Sequence, residues 1–239
     1  MSGTGWPEGA FETAALTVFW SAATIGLYWA AKRLNQRLRR WWSSPLLLAP
    51  ILLIALVLGL HVSYRDYMAG THWLLALMGP ATVAFAVPIF EQRAMIRRFW
   101  AVLAMGVVAG SGTSMLTAYG LASLLGLGGD LRLSLLPRSV STPFAMVVSG
   151  DIGGVPDLTA VFVVCTGVFG AAFGEALLLW LPLRSSLARG ALFGMGAHGA
   201  GVAKAHQLGA EEGTIAGLVM VMVGLVNVLA APMLAMVLR

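Results

Sequence analysis

Apolar runs of about 20 residues recur along this chain, and that is the length a helix needs to cross the hydrocarbon of a bilayer. With 239 residues, 59% of them hydrophobic and only 10% charged, lipid rather than one aqueous core sets the fold class. The expectation is an all-α polytopic membrane protein. Eight membrane segments can be drawn, near Glu12–Ala31, Pro45–His61, Trp73–Phe90, Phe99–Leu127, Pro137–Gly154, Leu158–Leu183, Gly190–Gln207 and Thr214–Leu238. They form one membrane domain, 1–239, in which 1–67 reads as two scaffold-like helices and 68–239 as a core of broken helices.

The opening residues MSGTGWPEGA carry no Lys or Arg and no small-residue cleavage site follows, so the first run is expected to be a span rather than a signal peptide. Basic residues gather in short loops: KRLNQRLRR after the first run, Arg93, Arg97 and Arg98 after the third, Arg184 and Arg189 after the sixth. A net charge of +5 distributed this way speaks for membrane orientation and against nucleic acid. Placing these loops inside puts the N-terminus outside and the C-terminus inside. It also requires the stretch PRSVSTPFAMVVSGDIGG, Pro137–Gly154, to enter and leave on one side, as a re-entrant element.

That stretch is the least helical text in the chain. In hydrocarbon every backbone N–H and C=O needs a partner, so prolines and glycines survive there only where protein or a water-filled cavity covers the break. Pro143, preceded by Ser141 and Thr142, reads as the first turn of a half-helix, and so does Pro80 in GP. Each would aim free N–H groups and a positive dipole end at membrane depth, a setting suited to an anion. A 60-residue shift lays Thr82–Glu91 over Thr142–Asp151 in opposite directions, the pattern of an inverted repeat whose two half-helices would face each other near the midplane. Chance alignment of two Ala/Val-rich segments is the alternative.

Within this frame Arg138 is the first candidate for a substrate carboxylate, with snorkelling to the interface as its alternative. Ser139, Ser141, Thr142 and Thr82 are candidate ligands, or else hydroxyls that satisfy broken backbone. His198, between Gly196 and Gly199, and Glu175, mid-span in GAAFGEALLLW, are candidates for proton coupling. The alternative for His198 is a neutral ring bonded to a carbonyl; Glu175 would be protonated, paired with Lys204 or Arg138, or lining water, with packing next to Gly174 as its alternative. Lys204 either joins the cationic site or snorkels outward. Asn227 reads as polar membrane-depth glue between helices. The glycines of the fourth and sixth segments, Gly106, Gly110, Gly112, Gly167, Gly170 and Gly174, read as close helix packing. No metal is expected, because His198 has no second ligand at suitable spacing. No cofactor and no enzymatic chemistry are expected either, since neither HExxH, GxSxG nor a Walker loop occurs. The lone Cys165 can form no intramolecular disulfide.

Four stretches, LMGPATVAFAVPIF, PRSVSTPFAMVVS, IGGVPDLTAVFVVCTG and GMGAHGAGVAKAHQLG, resemble the signature segments of the LrgB/CidB family. The resemblance runs from about Leu77 to the end of the chain. It implies a bacterial inner-membrane protein described in two ways: as a holin-like or antiholin-like modulator of murein hydrolase activity and autolysis acting with a separate small LrgA/CidA-type membrane protein, and as a carrier of small carboxylates. The plastid relative moves glycolate and glycerate, and bacterial relatives are linked to pyruvate. One departure stands out, because the family's HG-x-G-T-A-R-A run is HGAGVAKA here, with Val202 for Thr and Lys204 for Arg. A forked contact to a carboxylate thereby becomes a point charge.

The sequence therefore predicts a secondary transporter of small monocarboxylates of the glycolate, glycerate, pyruvate or lactate type, working by alternating access as a homo-oligomer. Protons are the expected coupling ion, with sodium as the alternative. The competing reading is a partner-dependent regulator of cell-wall hydrolysis without solute turnover.

Overall fold

A computed structural model describes residues 8–38 and 43–238. Among these every regular element is helical: α1 (Glu8–Leu38), α2 (Pro45–Gly59), α3 (Tyr64–Ala76), α4 (Met78–Ala84), α5 (Ala86–Glu91), α6 (Arg93–Leu124), α7 (Gly129–Leu135), α8 (Thr142–Ile152), α9 (Pro156–Trp180), α10 (Ser186–Leu208) and α11 (Ala210–Leu238). Among the described residues five stretches are long and apolar enough to cross a membrane, namely Ala14–Leu38, Tyr64–Glu91, Arg93–Leu124, Pro156–Trp180 and Ala210–Val237, and Pro45–Gly59 is a shorter apolar helix. The chain is an all-α polytopic membrane protein. Residues 39–42, the opening MSGTGWP and Arg239 lie outside the described residues.

Two compact units divide between Ala81 and Thr82, later in the chain than the boundary after Tyr67 read from the sequence. In the first, α1 crosses α3 at Gly70, where a side chain would meet the Leu16 carbonyl and Trp20. Trp20 is buried at this crossing and meets Tyr67 edge-on, and Ser21 bonds both the Gly70 carbonyl and Trp73 Nε1. The third apolar run is broken as GP suggests, but into two short pieces, α4 and α5, that part at Phe85.

In the second unit α9 is the reference rod. Before it, α7, a single 3-10 turn at Leu136–Ser139, and α8 form a hairpin. Gly153, at φ 91°, turns the chain at its base, and Gly154 lies against the Ser134 backbone, so both arms begin on one side. This is the re-entrant element that the charge pattern demands. A knot of buried hydroxyls closes its base. Thr159 Oγ1 lies 2.7 Å from Ser149 Oγ and 3.0 Å from the Ser134 carbonyl, while the Val155 N–H donates to Ser134 Oγ at 2.8 Å.

The seventh segment corrects the sequence reading. It is drawn there as one crossing, yet α10 folds back on itself at His198, whose φ of 36° and ψ of −121° interrupt the helix. Gly201 packs onto the Phe193 carbonyl, and the Cβ of any side chain at Gly190 would sit 2.7 Å from the Glu212 carbonyl oxygen. Eight residues of straight helix would separate 193 from 201 by about 12 Å. The ion pair from Arg189 Nη2 to Glu212 Oε1, 2.8 Å, shows that α10 starts and ends on the same side. Basic residues at Arg184 and Arg189 and the acidic GAEEG therefore share a face, where the sequence reading separates them. Consequently α11 runs from that face to the other, and its last turns pack Ala231 with Ile152 and Val148 beside the base of the first hairpin. The C-terminal end of α11 and the Arg184/Arg189 loop are on opposite sides, so they cannot both be inside.

Candidate functional site

Depth is set along α9, which is 25 residues long. Its glycines admit the first arm of α10: Gly174 faces Phe193, Gly170 the Gly196 carbonyl, and Gly167 the ring of His198 and the Ala197 carbonyl. His198, the tip of the second hairpin, thus lies beside the middle of a membrane-length helix. The longer arms are about half a bilayer deep, since the 11 residues of α8 rise about 16 Å against a hydrocarbon core of about 30 Å.

The two tips meet. The ring of His198 lies against the backbone carbonyl of Arg138, which is at the tip of the first hairpin. The hairpins enter from opposite faces, because one is based at the start of α9 and the other beyond its end. At the tips, α8 and the second arm of α10 both begin, so two helix N-termini point to the middle of the protein. The expectation of opposed half-helices is met with a different partner. The fragment opposite α8 is the α10 tip rather than the Pro80 half-helix, and the stretch aligned with α8 is split at Phe85.

α6 supplies a third wall. Ser114 Oγ accepts from Arg138 Nη1 at 3.2 Å and donates to Ser139 Oγ at 2.7 Å. One turn earlier Ser111 Oγ accepts from Asn227 Nδ2 at 3.0 Å, joining α6 to α11. No carboxylate among the described residues pairs with Arg138, and the two ion pairs described, Arg189–Glu212 and Lys204–Glu175, lie elsewhere. Two buried polar atoms at the tips have no partner: Ser141 Oγ, in a residue 6% exposed, and His198 Nε2, in a residue 5% exposed. Leaving such atoms unpaired costs about 1–3 kcal/mol each. The arrangement can therefore hold a small anion that also offers hydrogen-bonding groups.

Of the residues singled out in the sequence, Arg138, Ser139, Ser141, Thr142 and His198 come together at the tips. Thr142 is half-buried in the first turn of α8. Lys204 stands on the second arm of α10, held by Glu175 of α9 at 2.8 Å. Thr82 is on α4, one turn before Phe85, whose ring stacks on Phe144 at 5.7 Å. Asn227 bridges two helices. Ser111 and Ser114 are new; their only sequence signal is the hydroxyl spacing in GSGTS, where the glycines alone attract notice.

Comparison with known proteins matches the model of the LrgB-like family to residues 24–237. YwbG of Bacillus subtilis (strain 168) is 38% identical over 211 residues, 88% of this chain and 94% of that protein. YxaC of the same organism is 35% identical over 198 residues, covering 83% and 86%. The holin-like protein CidB of Staphylococcus epidermidis is 28% identical over 211 residues, covering 88% and 92%. No solved structure matches.

Proposed function

Because this chain belongs to the LrgB-like family, we propose that it is a secondary carrier of small monocarboxylates whose anion site lies between the tips of two opposed hairpins. One observation carries the reading. An arginine with no carboxylate partner among the described residues, two helix N-termini and two buried polar atoms without a partner among those residues converge beside the middle of α9. Unpaired charge in a membrane interior is costly and marks solute pathways, and broken helices meeting at mid-depth are how secondary transporters build substrate sites. Arg138 would take the carboxylate, with Ser141, Thr142 and the α8 N-terminus as donors. Access would alternate as one hairpin parts from the other. His198 and Glu175 are the groups placed to exchange a proton during turnover.

A second reading rests on relatives named holin-like protein CidB, a name that favours it more directly than any solute. On that reading the chain regulates murein hydrolase activity together with a small LrgA/CidA-like membrane protein, and the tips have no solute to move. Under either reading it resides in a bacterial inner membrane. Arg93, Arg97, Arg98, Arg184 and Arg189 would face the cytoplasm, which places the C-terminal end of α11 outside.

Uptake of labelled glycolate, glycerate, pyruvate and lactate into liposomes under an imposed pH gradient separates the two. Saturable uptake by the wild type that disappears in Arg138→Ala supports the carrier. Absence of uptake from folded, inserted protein, together with autolysis control that survives Arg138→Ala in cells, supports the regulator.

A further inference from the structure

A second basic feature lies far from the hairpin tips, at the elbow where α5 passes into α6. α6 leaves this elbow and passes Ser111, Ser114 and Ser123, of which Ser114 bonds Arg138 at the tips and Ser123 accepts from Arg132 near the base of the first hairpin. Its start is therefore on the opposite face from that base. The base of the second hairpin, with Arg189 paired to Glu212, is on that opposite face too, so the elbow shares a face with Arg184 and Arg189.

The elbow carries a widely open cavity of about 360 Å³, lined by Ala86, Ile89, Phe90, Ile96, Arg93 and Arg97. Its walls are almost wholly apolar, yet its rim is cationic. Arg93 is held in place by donating from Nη1 to the Phe90 carbonyl at 2.9 Å and by lying 4.3 Å over the Phe90 ring. Arg98 is next in line, 5.1 Å over Phe99, where α6 kinks. Arginine stems that line an apolar wall while their heads reach out are the interfacial pattern of amphipathic side chains.

An occupant must match both halves of this chemistry. A free anion would use only the rim, and a neutral hydrocarbon only the walls. A phospholipid with an anionic headgroup uses both, with acyl chain in the elbow and phosphate on the arginines. We infer that the α5–α6 elbow is a binding site for an anionic phospholipid, held by Arg93 and Arg97. The leaflet it would draw from is the one facing the basic loops, where juxtamembrane arginines contribute most to lipid attraction.

The test is native mass spectrometry of the purified full chain, delipidated and then offered phosphatidylglycerol or phosphatidylcholine in equal amounts. Preferential retention of phosphatidylglycerol is expected. It should fall by about thirtyfold in Arg93→Gln/Arg97→Gln and largely persist in Arg93→Lys/Arg97→Lys. Ala86→Phe, which fills the cavity and leaves both charges, should weaken retention of the lipid as well. Equal retention of the two lipids, or an unchanged preference in the Gln/Gln protein that still elutes as a folded particle, would overturn the inference. So would competition by inorganic phosphate at concentrations that also abolish the preference, since the rim alone would then suffice.

Discussion

The hairpin of α7 and α8 turns through a proline-bearing 3-10 segment and a serine, and side-chain oxygens close its base; that of α10 turns through His198, and glycines close it. In the first, three hydroxyl residues on three segments, Ser134, Ser149 and Thr159, tie the arms to α9. In the second, Gly190, Gly194 and Gly201 bring backbone onto backbone. One hairpin is therefore held by directional bonds that can be exchanged, the other by shape that cannot. Both solve the same difficulty, that broken backbone at membrane depth must be covered by protein.

The sharpest way to break this comparison is to add one methyl group to each hairpin. At Gly190 a Cβ would stand 2.7 Å from both the Glu212 carbonyl oxygen and Ile215 Cβ, whereas at Gly150 in α8 the nearest atom is 3.8 Å away. Gly190→Ala should lower stability by about 2–3 kcal/mol, while Gly150→Ala should be neutral or raise it by up to about 1 kcal/mol. Thermal unfolding in detergent reads both. Equal effects would mean that Gly190 does not set how closely α10 packs on α11.

Next in size is the charge at the tips. Arg138→Ala should reduce carboxylate uptake about a hundredfold, the loss expected when a charged hydrogen-bonding group is removed from a buried site. Arg138→Lys should fall between, since it keeps the charge and loses the fork that now also reaches Ser114. A Lys variant as inactive as the Ala variant would assign the guanidinium to positioning through Ser114.

Smaller effects distinguish the closures themselves. Ser149→Ala removes one member of the hydroxyl knot and should cost about 1 kcal/mol in unfolding experiments, with hydrogen exchange rising in α8 and not in α10. At the other tip, His198 has a positive φ that disfavours every residue with a Cβ. His198→Gly should therefore be about 1 kcal/mol more stable than His198→Ala in the same melts. A reversed order would show that the bend at 198 is not what strains α10.

How far each hairpin can be read from sequence follows from the same contrast. Pro137, Pro143 and the serines between them announce a break, and the basic loops on either side require an even number of passes, so the first hairpin is legible. α10 is not, because its two half-depth arms together are as long as one full crossing. Gly190–Gln207 is nevertheless too polar to stand among the stretches apolar enough to cross a membrane. The signal that could have exposed it is local: glycines at 190, 194 and 201 with a histidine between them, a pattern that tolerates close backbone approach. Ser114 was hidden for another reason, since a hydroxyl in a long helix bonds its own backbone as readily as a distant arginine. Lys204 and Glu175 are both legible as charges, and of the partners the sequence allows for Glu175, Lys204 is the one it meets across α9 and α10. Neither faces Arg138 as an ion pair.

The meeting of the tips beside the middle of α9 also has an electrical consequence. A membrane potential falls across the low-dielectric thickness of the protein, and a full crossing by one elementary charge is worth about 2.3 kcal/mol per 100 mV. If the chain is the proposed carrier, a solute held where two half-depth hairpins touch has traversed about half of that drop from either face. Entry and exit would then divide the voltage between them, and neither step would carry the whole field.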